Sequence, residues 1–261
     1  MSTLAPLLPG TVTLVGGGPG DPGLLTVAGR AAIEQADVLL VDHLAPQEAL
    51  SWAPPAAEVV DVAKLPRGAF TPQERINDLL VEHARAGRRV VRLKGGDGFV
   101  FGRGGEEVQA CAAAGVQVRV VPGVSSSVAV PALAGIPVTH RGLVQGFSVV
   151  SGHVPPDDPT STLDWAALAR SGTTLVVLMG VRTLPVITAT LLAHGLDPAT
   201  PSAVVARGGH PDQEVRTAAL RDLARAAEGL APPAVTVIGH VVGLTTPAPA
   251  ATGTPHLQEV H

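Results

Sequence analysis

Short apolar segments rich in β-branched residues alternate with helix-forming segments through the first half of this 261-residue chain. The apolar segments predict strands over residues 11–15, 38–41, 59–62, 89–93 and 116–121, and helices are predicted between them over residues 28–35, 72–85, 106–114 and 126–134. Parallel strands buried on both faces have this continuous apolar character, and each needs a crossover connection, usually a helix. The alternation therefore predicts an α/β fold with mostly parallel sheets covered by helices.

The second half resumes the alternation after a polar, proline-rich stretch at residues 155–161. Strands are predicted over residues 147–151, 174–179, 202–206 and 234–238, and helices over residues 184–194 and 220–228. We therefore expect an N-terminal extension at residues 1–10, α/β domains at 11–153 and 154–244, and a tail at 245–261. The tail is rich in Pro, Thr and Ala without periodicity, which is typical of disorder.

Composition narrows the class of partner. The formal net charge is -4 and only 2% of residues are aromatic, so the basic stripe with stacking residues of a nucleic-acid binder is missing. No apolar run approaches the roughly 20 residues of a membrane helix, and no signal peptide precedes the first strand. Cys111, the single cysteine, has no metal-ligand spacing around it and is expected in the core. These features favour a cytoplasmic protein that acts on a small molecule without a metal.

The first glycine-rich segment, GGGPGDPGLLT from Gly16 to Thr26, follows a predicted strand directly. It contains G-x-G-x-x-G, and Asp42 lies about 20 residues further on, as in dinucleotide sites. Two features oppose that interpretation. Pro22 removes an N–H that a pyrophosphate would use, and Thr26, the expected helix cap, comes after the third glycine. A ligand loop and a purely structural glycine turn both remain open.

The second segment, VVRLKGGDGFVFGRGGEE from Val90 to Glu107, runs from a strand into a glycine-rich loop. Glycines at the carboxyl end of a parallel strand permit close approach of a ligand, and Asp97 can accept hydrogen bonds. Lys94 and Arg103 could meet an anion, or they could pair with the two glutamates that end the segment. No Gly-Lys-Ser or Gly-Lys-Thr occurs, which excludes the ordinary nucleotide-hydrolase loop.

Lysine is rare in this chain. Of eighteen basic residues only Lys64 and Lys94 are lysines, and both lie in or beside the motifs. A genome that favours arginine codons and a functional need for a compact ammonium group explain this equally well.

Five segments occur in the order in which they occur in uroporphyrinogen-III C-methyltransferases. They are GGGPGDPGLLT, VVRLKGGDGFVFGRGGEE, VVPGVSS (Val120 to Ser126), AGIPVTHR (Ala134 to Arg141) and SGH (Ser151 to His153). The chain resembles this family over roughly residues 11–244. The resemblance implies a two-domain tetrapyrrole methylase fold, S-adenosylmethionine bound in the cleft between the domains, and usually a homodimer.

The resemblance also implies particular site residues. Contacts with S-adenosylmethionine would fall on Pro19, Gly95, Gly96, Asp97, Val100, Ser125, Ser126, Met179 and Gly208. Asp42 would accept a proton and Lys64 would donate one, although Asp42 could instead cap a helix and Lys64 could be a solvated loop charge. Cationic and imidazole groups would meet the substrate carboxylates, with Arg103, His140, Arg141 and His153 as candidates and Arg92 and Lys94 beside them.

The activity implied is C-methylation of uroporphyrinogen III at two pyrrole carbons, giving precorrin-2 through precorrin-1 together with S-adenosylhomocysteine, in siroheme or cobalamin biosynthesis. The alternatives are another precorrin methyltransferase, a relative that methylates a protein during diphthamide formation, or a non-catalytic protein that binds the cofactor or a tetrapyrrole. Since no extra domain precedes the methylase-like region, a fused dehydrogenase-ferrochelatase activity is not expected.

The chain departs from the family pattern at several positions. Family members carry arginine, glycine, arginine, histidine, proline and aspartate where this chain has His43, Ala63, Leu65, Ala69, Gly98 and Gly142. The loss of basic groups near Asp42 and Lys64 has two interpretations, a lower affinity for a carboxylated macrocycle or a related substrate. Gly98 should loosen the binding loop, since proline there would restrict the unbound chain.

Overall fold

The computed structural model describes residues 5–62 and 71–245. Contacts along the chain divide it into two compact units, Met1–Ala129 and Val130–His261. This division falls before the boundary predicted between residues 153 and 154. The reason is that Val130, Ala134 and Ile136 belong to the hydrophobic core of the second unit.

The first unit contains one sheet of five parallel strands. These are β1 (Val12–Gly16), β2 (Val38–Val41), β3 (Glu58–Asp61), β4 (Val90–Lys94) and β5 (Val118–Val121), in the order β3-β2-β4-β1-β5. The α-helices are α1 (Val27–Ile33), α2 (Gln73–Arg85), α3 (Gly104–Ala113) and α4 (Ser126–Leu133), the last of which spans the division between the units. Short 3-10 helices occupy Pro22–Leu24 and Gln47–Trp52.

Alternate residues of the central strand β4 face different helices, because side chains alternate along a strand. Val91 and Leu93 pack in a core that includes Ala32 and Ile33 of α1. Val90 packs instead with residues of α2 and α3, including Leu80 and Cys111. Arg92 and Lys94 lie two and four residues after Val90 and are therefore on the same face of the strand. Their side chains point toward α2 and α3.

The second unit contains a mixed sheet. Its strands are β6 (Phe147–Ser151), β7 (Thr174–Leu178), β8 (Pro201–Ala206), β9 (Glu214–Ala219) and β10 (Ala234–Ile238), in the order β6-β7-β10-β8-β9. The α-helices are α5 (Trp165–Ala169), α6 (Leu184–Ala193) and α7 (Leu220–Ala226), and a 3-10 helix covers His240–Leu244. Only β6 and β7 pair in parallel, since β10 runs antiparallel to β7 and β8, and β9 runs antiparallel to β8.

The predicted α/β class with mostly parallel pairing is confirmed, although the parallel pairing is concentrated in the first unit. Thr26 caps α1 as predicted, its hydroxyl accepting a hydrogen bond from the Gly29 amide at 3.0 Å. Helix α2 begins after Pro72 without a side-chain cap. Strand β9 and helix α5 were not predicted. The sequence of β9, EVRTAA, contains three polar residues and none of its residues is buried, so it lacks the apolar run that marks a buried strand.

In the parts of the chain that the structure describes, no helix is long and apolar enough to cross a membrane. The predicted extension and tail are described only at residues 5–10 and at Thr245. Lys64 lies outside the described residues, and so do Ala63, Leu65 and Ala69.

Candidate functional site

The carboxyl ends of all five strands of the first unit lie at one edge of its sheet, where α/β proteins bind ligands. Three glycine segments meet there. A Cβ atom on Gly123 would lie 2.3 Å from the Gly96 carbonyl oxygen, and one on Gly16 would lie 2.5 Å from the Gly123 nitrogen. Gly18 and Gly96 exchange backbone hydrogen bonds of 3.1 and 2.6 Å. Any side chain would separate these segments, so the sequence needs glycine here.

Asp97 joins two of these segments. Its Oδ1 accepts a hydrogen bond from the Phe99 amide at 2.9 Å, and its Oδ2 accepts one from the Gly123 amide at 3.0 Å. Both carboxylate oxygens are therefore engaged with the backbone. The side chain fixes the loop after β4 against the loop after β5, and its predicted contact with S-adenosylmethionine stays a prediction.

The loop after β4 is strained and partly apolar. Phe101 and Arg103 adopt left-handed backbone conformations with φ of 54° and 58°, which is unfavourable for residues with a side chain. Phe99 and Phe101 are exposed, and Val100 is half-buried. Backbone strain of this kind concentrates at functional loops. Exposed apolar side chains beside the carboxyl ends of the strands suit a ligand with apolar parts.

A buried group of charges lies directly beneath this edge. Arg92 donates from Nη2 to Oδ1 of Asp42 at 2.5 Å and from Nε to Oε1 of Glu107 at 2.9 Å. Lys94 Nζ lies 3.0 Å from the same Glu107 oxygen and 3.5 Å from Oδ2 of Asp42. The side chains of Arg92, Lys94 and Glu107 are 2%, 3% and 0% exposed, whereas that of Asp42 is 31% exposed. Asp42 is thus the one member of this buried charge cluster that also faces solvent.

These contacts correct one expectation. Arg92 and Lys94 were candidates for binding substrate carboxylates, but they are buried and paired with Asp42 and Glu107. The cause is the strand alternation, which turns both side chains toward α2 and α3. The alternative that Lys94 pairs with one of the glutamates ending the motif is therefore confirmed.

Arg103 pairs with Glu106 at the surface. Its Nε and Nη2 donate to the two carboxylate oxygens at 2.9 and 2.7 Å. This hydrogen-bonded pair raises the pKa of Arg103 and lowers the pKa of Glu106. Both side chains are about half exposed, so the pair can open without leaving a buried charge, and the predicted role of Arg103 toward substrate stays a prediction.

The remaining predicted residues of the first unit lie around the same edge. Pro19 is in the turn after β1 and is half-buried. Ser125 precedes α4, where its hydroxyl lies 2.9 Å from that of Ser127. The Ser126 hydroxyl would lie 3.3 Å from a Cβ on Gly96, and a Cβ on Gly95 would meet the Leu44 carbonyl oxygen at 2.6 Å.

In the second unit, three predicted residues follow the carboxyl ends of three strands of the sheet. His153 follows β6, Met179 follows β7 and Gly208 follows β8. The strands β6 and β7 are parallel, and β7 and β8 both run antiparallel to β10, so these ends share one edge of the sheet. Met179 is exposed and left-handed, with φ of 58°. A Cβ on Gly208 would lie 2.5 Å from Cγ1 of Val130, so glycine lets α4 approach the segment that follows β8.

His140 and Arg141 are exposed in a turn closed by a bridge between His140 and Val144. Neither residue has an ion pair among the described residues. They are free to meet an anion, and their contact with substrate stays a prediction.

The residues of the first unit fit part of a group such as S-adenosylmethionine. Leu44 and Phe99 expose apolar surface beside the close-packed glycines, and the half-exposed Asp42 adds a negative charge at the same edge. Across residues 5–62 and 71–245, no three His, Cys, Asp or Glu side chains gather in a way that could hold a metal ion.

Sequence reasoning did not identify Glu107 as a core residue or Gln73 as its neighbour. Glu107 sits in the run GRGGEE, which resembles a solvated helix start, and Gln73 lies 34 residues earlier with its amide 3.4 Å from Oε1 of Glu107. The sequence did contain one signal for a buried acidic partner. The apolar strand VVRLK carries two basic residues, and buried charges need partners of opposite charge.

Comparisons with known proteins agree with these observations. A family model for tetrapyrrole (corrin/porphyrin) methylases matches residues 11–224. Siroheme synthase 1 of Klebsiella pneumoniae is 48% identical over 235 residues, covering 90% of the chain and 50% of that protein. The chain therefore spans about half the length of the siroheme synthases that it matches. An S-adenosyl-L-methionine-dependent uroporphyrinogen III methyltransferase of Methanosarcina barkeri is 46% identical over 237 residues, covering 90% of the chain and 93% of that protein.

A solved structure has the same fold. The crystal structure of uroporphyrin-III C-methyl transferase from Thermus thermophilus, complexed with S-adenyl homocysteine, matches with a TM-score of 0.77 and 42% sequence identity. The match covers 90% of this chain and 99% of that one.

Proposed function

The chain belongs to the tetrapyrrole (corrin/porphyrin) methylase family, and from that membership we propose that it is an S-adenosylmethionine-dependent C-methyltransferase acting on uroporphyrinogen III. The product would be precorrin-2, formed through precorrin-1 by two successive methylations. The relatives from Methanosarcina barkeri and Thermus thermophilus, whose names state this chemistry, support the proposal along nearly their whole lengths.

The observation that carries the proposal is the position of Asp42. It lies at the carboxyl edge beside the glycine segments, 31% exposed, with Oδ1 held by Arg92. Its Oδ2 accepts no hydrogen bond from any residue that the structure describes and makes only a longer ion pair, 3.5 Å from Nζ of Lys94. A partly exposed carboxylate with a hydrogen bond at one oxygen and none at the other is suited to receive a proton from a bound molecule.

The proposed reaction needs such an acceptor. S-adenosylmethionine, when bound, supplies an electrophilic methyl group to a nucleophilic ring carbon. The ring then loses one proton for each methyl gained, and Asp42 accepts it at Oδ2 and later releases it to water. Lys64 is the proposed proton donor. Met179, Gly95 and Gly96 are proposed to contact the cofactor, together with Pro19, Asp97, Val100, Ser125, Ser126 and Gly208.

The substrate's carboxylates are proposed to meet exposed groups. Arg103, His140, Arg141 and His153 are exposed or half-exposed, whereas Arg92 and Lys94 are committed to the buried charge cluster. An anion that displaces Glu106 from Arg103 would gain a charge-assisted contact in its place.

The proposal is tested by incubating the protein anaerobically with uroporphyrinogen III and methyl-labelled S-adenosylmethionine. We expect two labelled methyl groups per macrocycle and two molecules of S-adenosylhomocysteine. Labelling of a later precorrin but not of uroporphyrinogen III would favour another precorrin methyltransferase. Cofactor binding without label transfer to any tetrapyrrole would favour a binding protein and overturn the proposal.

Two finer expectations are proposals as well. The location is proposed to be cytoplasmic. A homodimer is proposed from family membership, and light scattering after gel filtration should give about twice the 26.4 kDa of one chain.

A further inference from the structure

Arg92 is among the largest fully buried side chains of the molecule and lies in the central strand of its sheet. Its guanidinium donates to Asp42 and to Glu107 from different nitrogens, and Nη1 lies 3.3 Å from the Leu40 carbonyl oxygen. The planar fork of arginine can hold two carboxylates in fixed directions, which a lysine ammonium cannot do as rigidly. The orientation of Asp42 therefore depends on a residue that no bound molecule of the proposed reaction needs to touch.

Glu107 anchors that arrangement. Its Oε1 receives Arg92 at 2.9 Å, Lys94 at 3.0 Å and the Gln73 amide at 3.4 Å. Its Oε2 is buried and has no hydrogen-bond partner among the described residues. A fully buried, half-satisfied carboxylate is costly, and apolar residues of similar volume would often stabilise a fold as well or better. Its presence is explained if it serves something other than stability.

Charge balance gives that explanation. Arg92 and Lys94 place two positive charges beside Asp42, and without Glu107 this carboxylate would face a net positive pocket. Such a pocket would draw both oxygens of Asp42 inward, away from a bound molecule. With Glu107 present, the four groups sum to zero, and Asp42 keeps one directed contact without a surplus of positive charge.

We infer that Arg92 and Glu107 are positioning residues for Asp42. Glu107 fixes and neutralises the buried cations, and Arg92 holds Oδ1 of Asp42, so that Oδ2, without a hydrogen bond and 3.5 Å from Lys94 Nζ, is left to take the ring proton. This inference rests on the proposed function, because it assigns the two residues to the proton-accepting step of that reaction.

A double-mutant cycle tests the inference. Arg92→Lys keeps the charge but loses the fork, so kcat should fall at least about tenfold while KM for S-adenosylmethionine stays within about twofold. In the Asp42→Asn background, where no carboxylate remains to be positioned, Arg92→Lys should change the residual single-turnover rate by less than about threefold. Arg89→Lys, immediately before the amino end of the same strand, is the matched control and should leave kcat unchanged.

Several outcomes would overturn the inference. If Arg92→Lys lowers the rate by the same factor in both backgrounds, its role is structural. If Arg92→Lys does not fold, as judged by thermal unfolding and S-adenosylhomocysteine binding, Glu107→Asp replaces it in the cycle with the same expected pattern. If the wild type transfers methyl groups and Arg92→Lys or Glu107→Asp retains full kcat, the inference is overturned but the proposed function stands. A wild type that transfers no methyl group overturns the proposed function and the inference together.

Discussion

Two aspartate–arginine pairs join the same neighbouring strands, β2 and β4, at opposite ends. Before the strands begin, Asp37 receives two side-chain hydrogen bonds from Arg89, at 3.0 and 2.5 Å, and one from its amide at 2.8 Å. After the strands end, Arg92 gives Asp42 one hydrogen bond and directs the rest of its guanidinium elsewhere. In the amino-end pair both carboxylate oxygens accept hydrogen bonds from the arginine, whereas in the carboxyl-end pair Oδ2 of Asp42 accepts none and lies 3.5 Å from Nζ of Lys94.

The two pairs also differ in how far their arginines are buried. Both members of the amino-end pair are half-exposed, with exposed side-chain fractions of 36% for Arg89 and 37% for Asp37, so water reaches both charges. At the carboxyl end the arginine is buried and needs Glu107 as a second counter-charge. The same two residue types therefore have different roles at the two ends of the strands. The amino-end pair is suited to stabilise the strands, while Asp42 of the carboxyl-end pair, with no hydrogen bond at Oδ2, is suited to accept a proton.

The strongest test of this comparison exchanges each aspartate for its neutral isostere. Asp42→Asn should lower kcat for methyl transfer by at least about 100-fold, because the proton acceptor is lost. S-adenosylhomocysteine affinity, measured by calorimetry, should change less than twofold. Asp37→Asn is the matched control and should retain full turnover. Equal turnover in both variants would break the comparison, since the two ends would then be functionally alike.

A second test concerns the anchoring residue. Glu107→Gln should lower the free energy of unfolding by about 3–5 kcal/mol, because it leaves two buried cations facing the single carboxylate of Asp42. Urea unfolding followed by circular dichroism measures this. Glu106→Gln, its exposed neighbour on α3, should have a much smaller effect, since water replaces its contact with Arg103. A small loss for both would show that the buried cations do not depend on Glu107.

The comparison also shows what could be predicted from the sequence. The strands β2 and β4 and the glycine segments after β1 and β4 were predictable, because apolar runs and glycines are local signals. The contact between Asp42 and Arg92 was not, because it joins residues 50 positions apart and depends on β2 lying beside β4. The burial of Glu107 was equally hidden, since it is set by how α3 packs on the sheet.

The second unit was less predictable for a related reason. The run Ala234 to Ile238 was correctly predicted as a strand, but its antiparallel direction depends on the partners β7 and β8, which no local pattern specifies. Strand β9 carries no apolar signal because it lies at the edge of the sheet. Asp42, by contrast, was predicted through the family resemblance, while its companions Arg92 and Glu107 required the structure.

The smallest expected effect concerns the amino-end pair and its response to pH. Hydrogen bonds from Arg89 lower the pKa of Asp37 from 3.8 to about 2. Since the folded pKa lies below the ordinary one, the stabilisation is complete above about pH 4 and is lost as the pH falls toward 2. Asp37→Asn should therefore cost about 1 kcal/mol at pH 7, a modest amount because the exposed pair is screened by water and salt.

Urea unfolding of wild type and Asp37→Asn at pH 7, 4 and 3 measures this difference, which should be constant from pH 7 to about 4 and smaller at pH 3. Asp78→Asn, an exposed aspartate of α2 with no ion pair among the described residues, controls for the loss of a carboxylate and should show no such trend. A difference that stays the same at pH 3 would mean that the charge of Asp37 contributes nothing. The contrast between the two ends would then rest on the carboxyl-end pair alone.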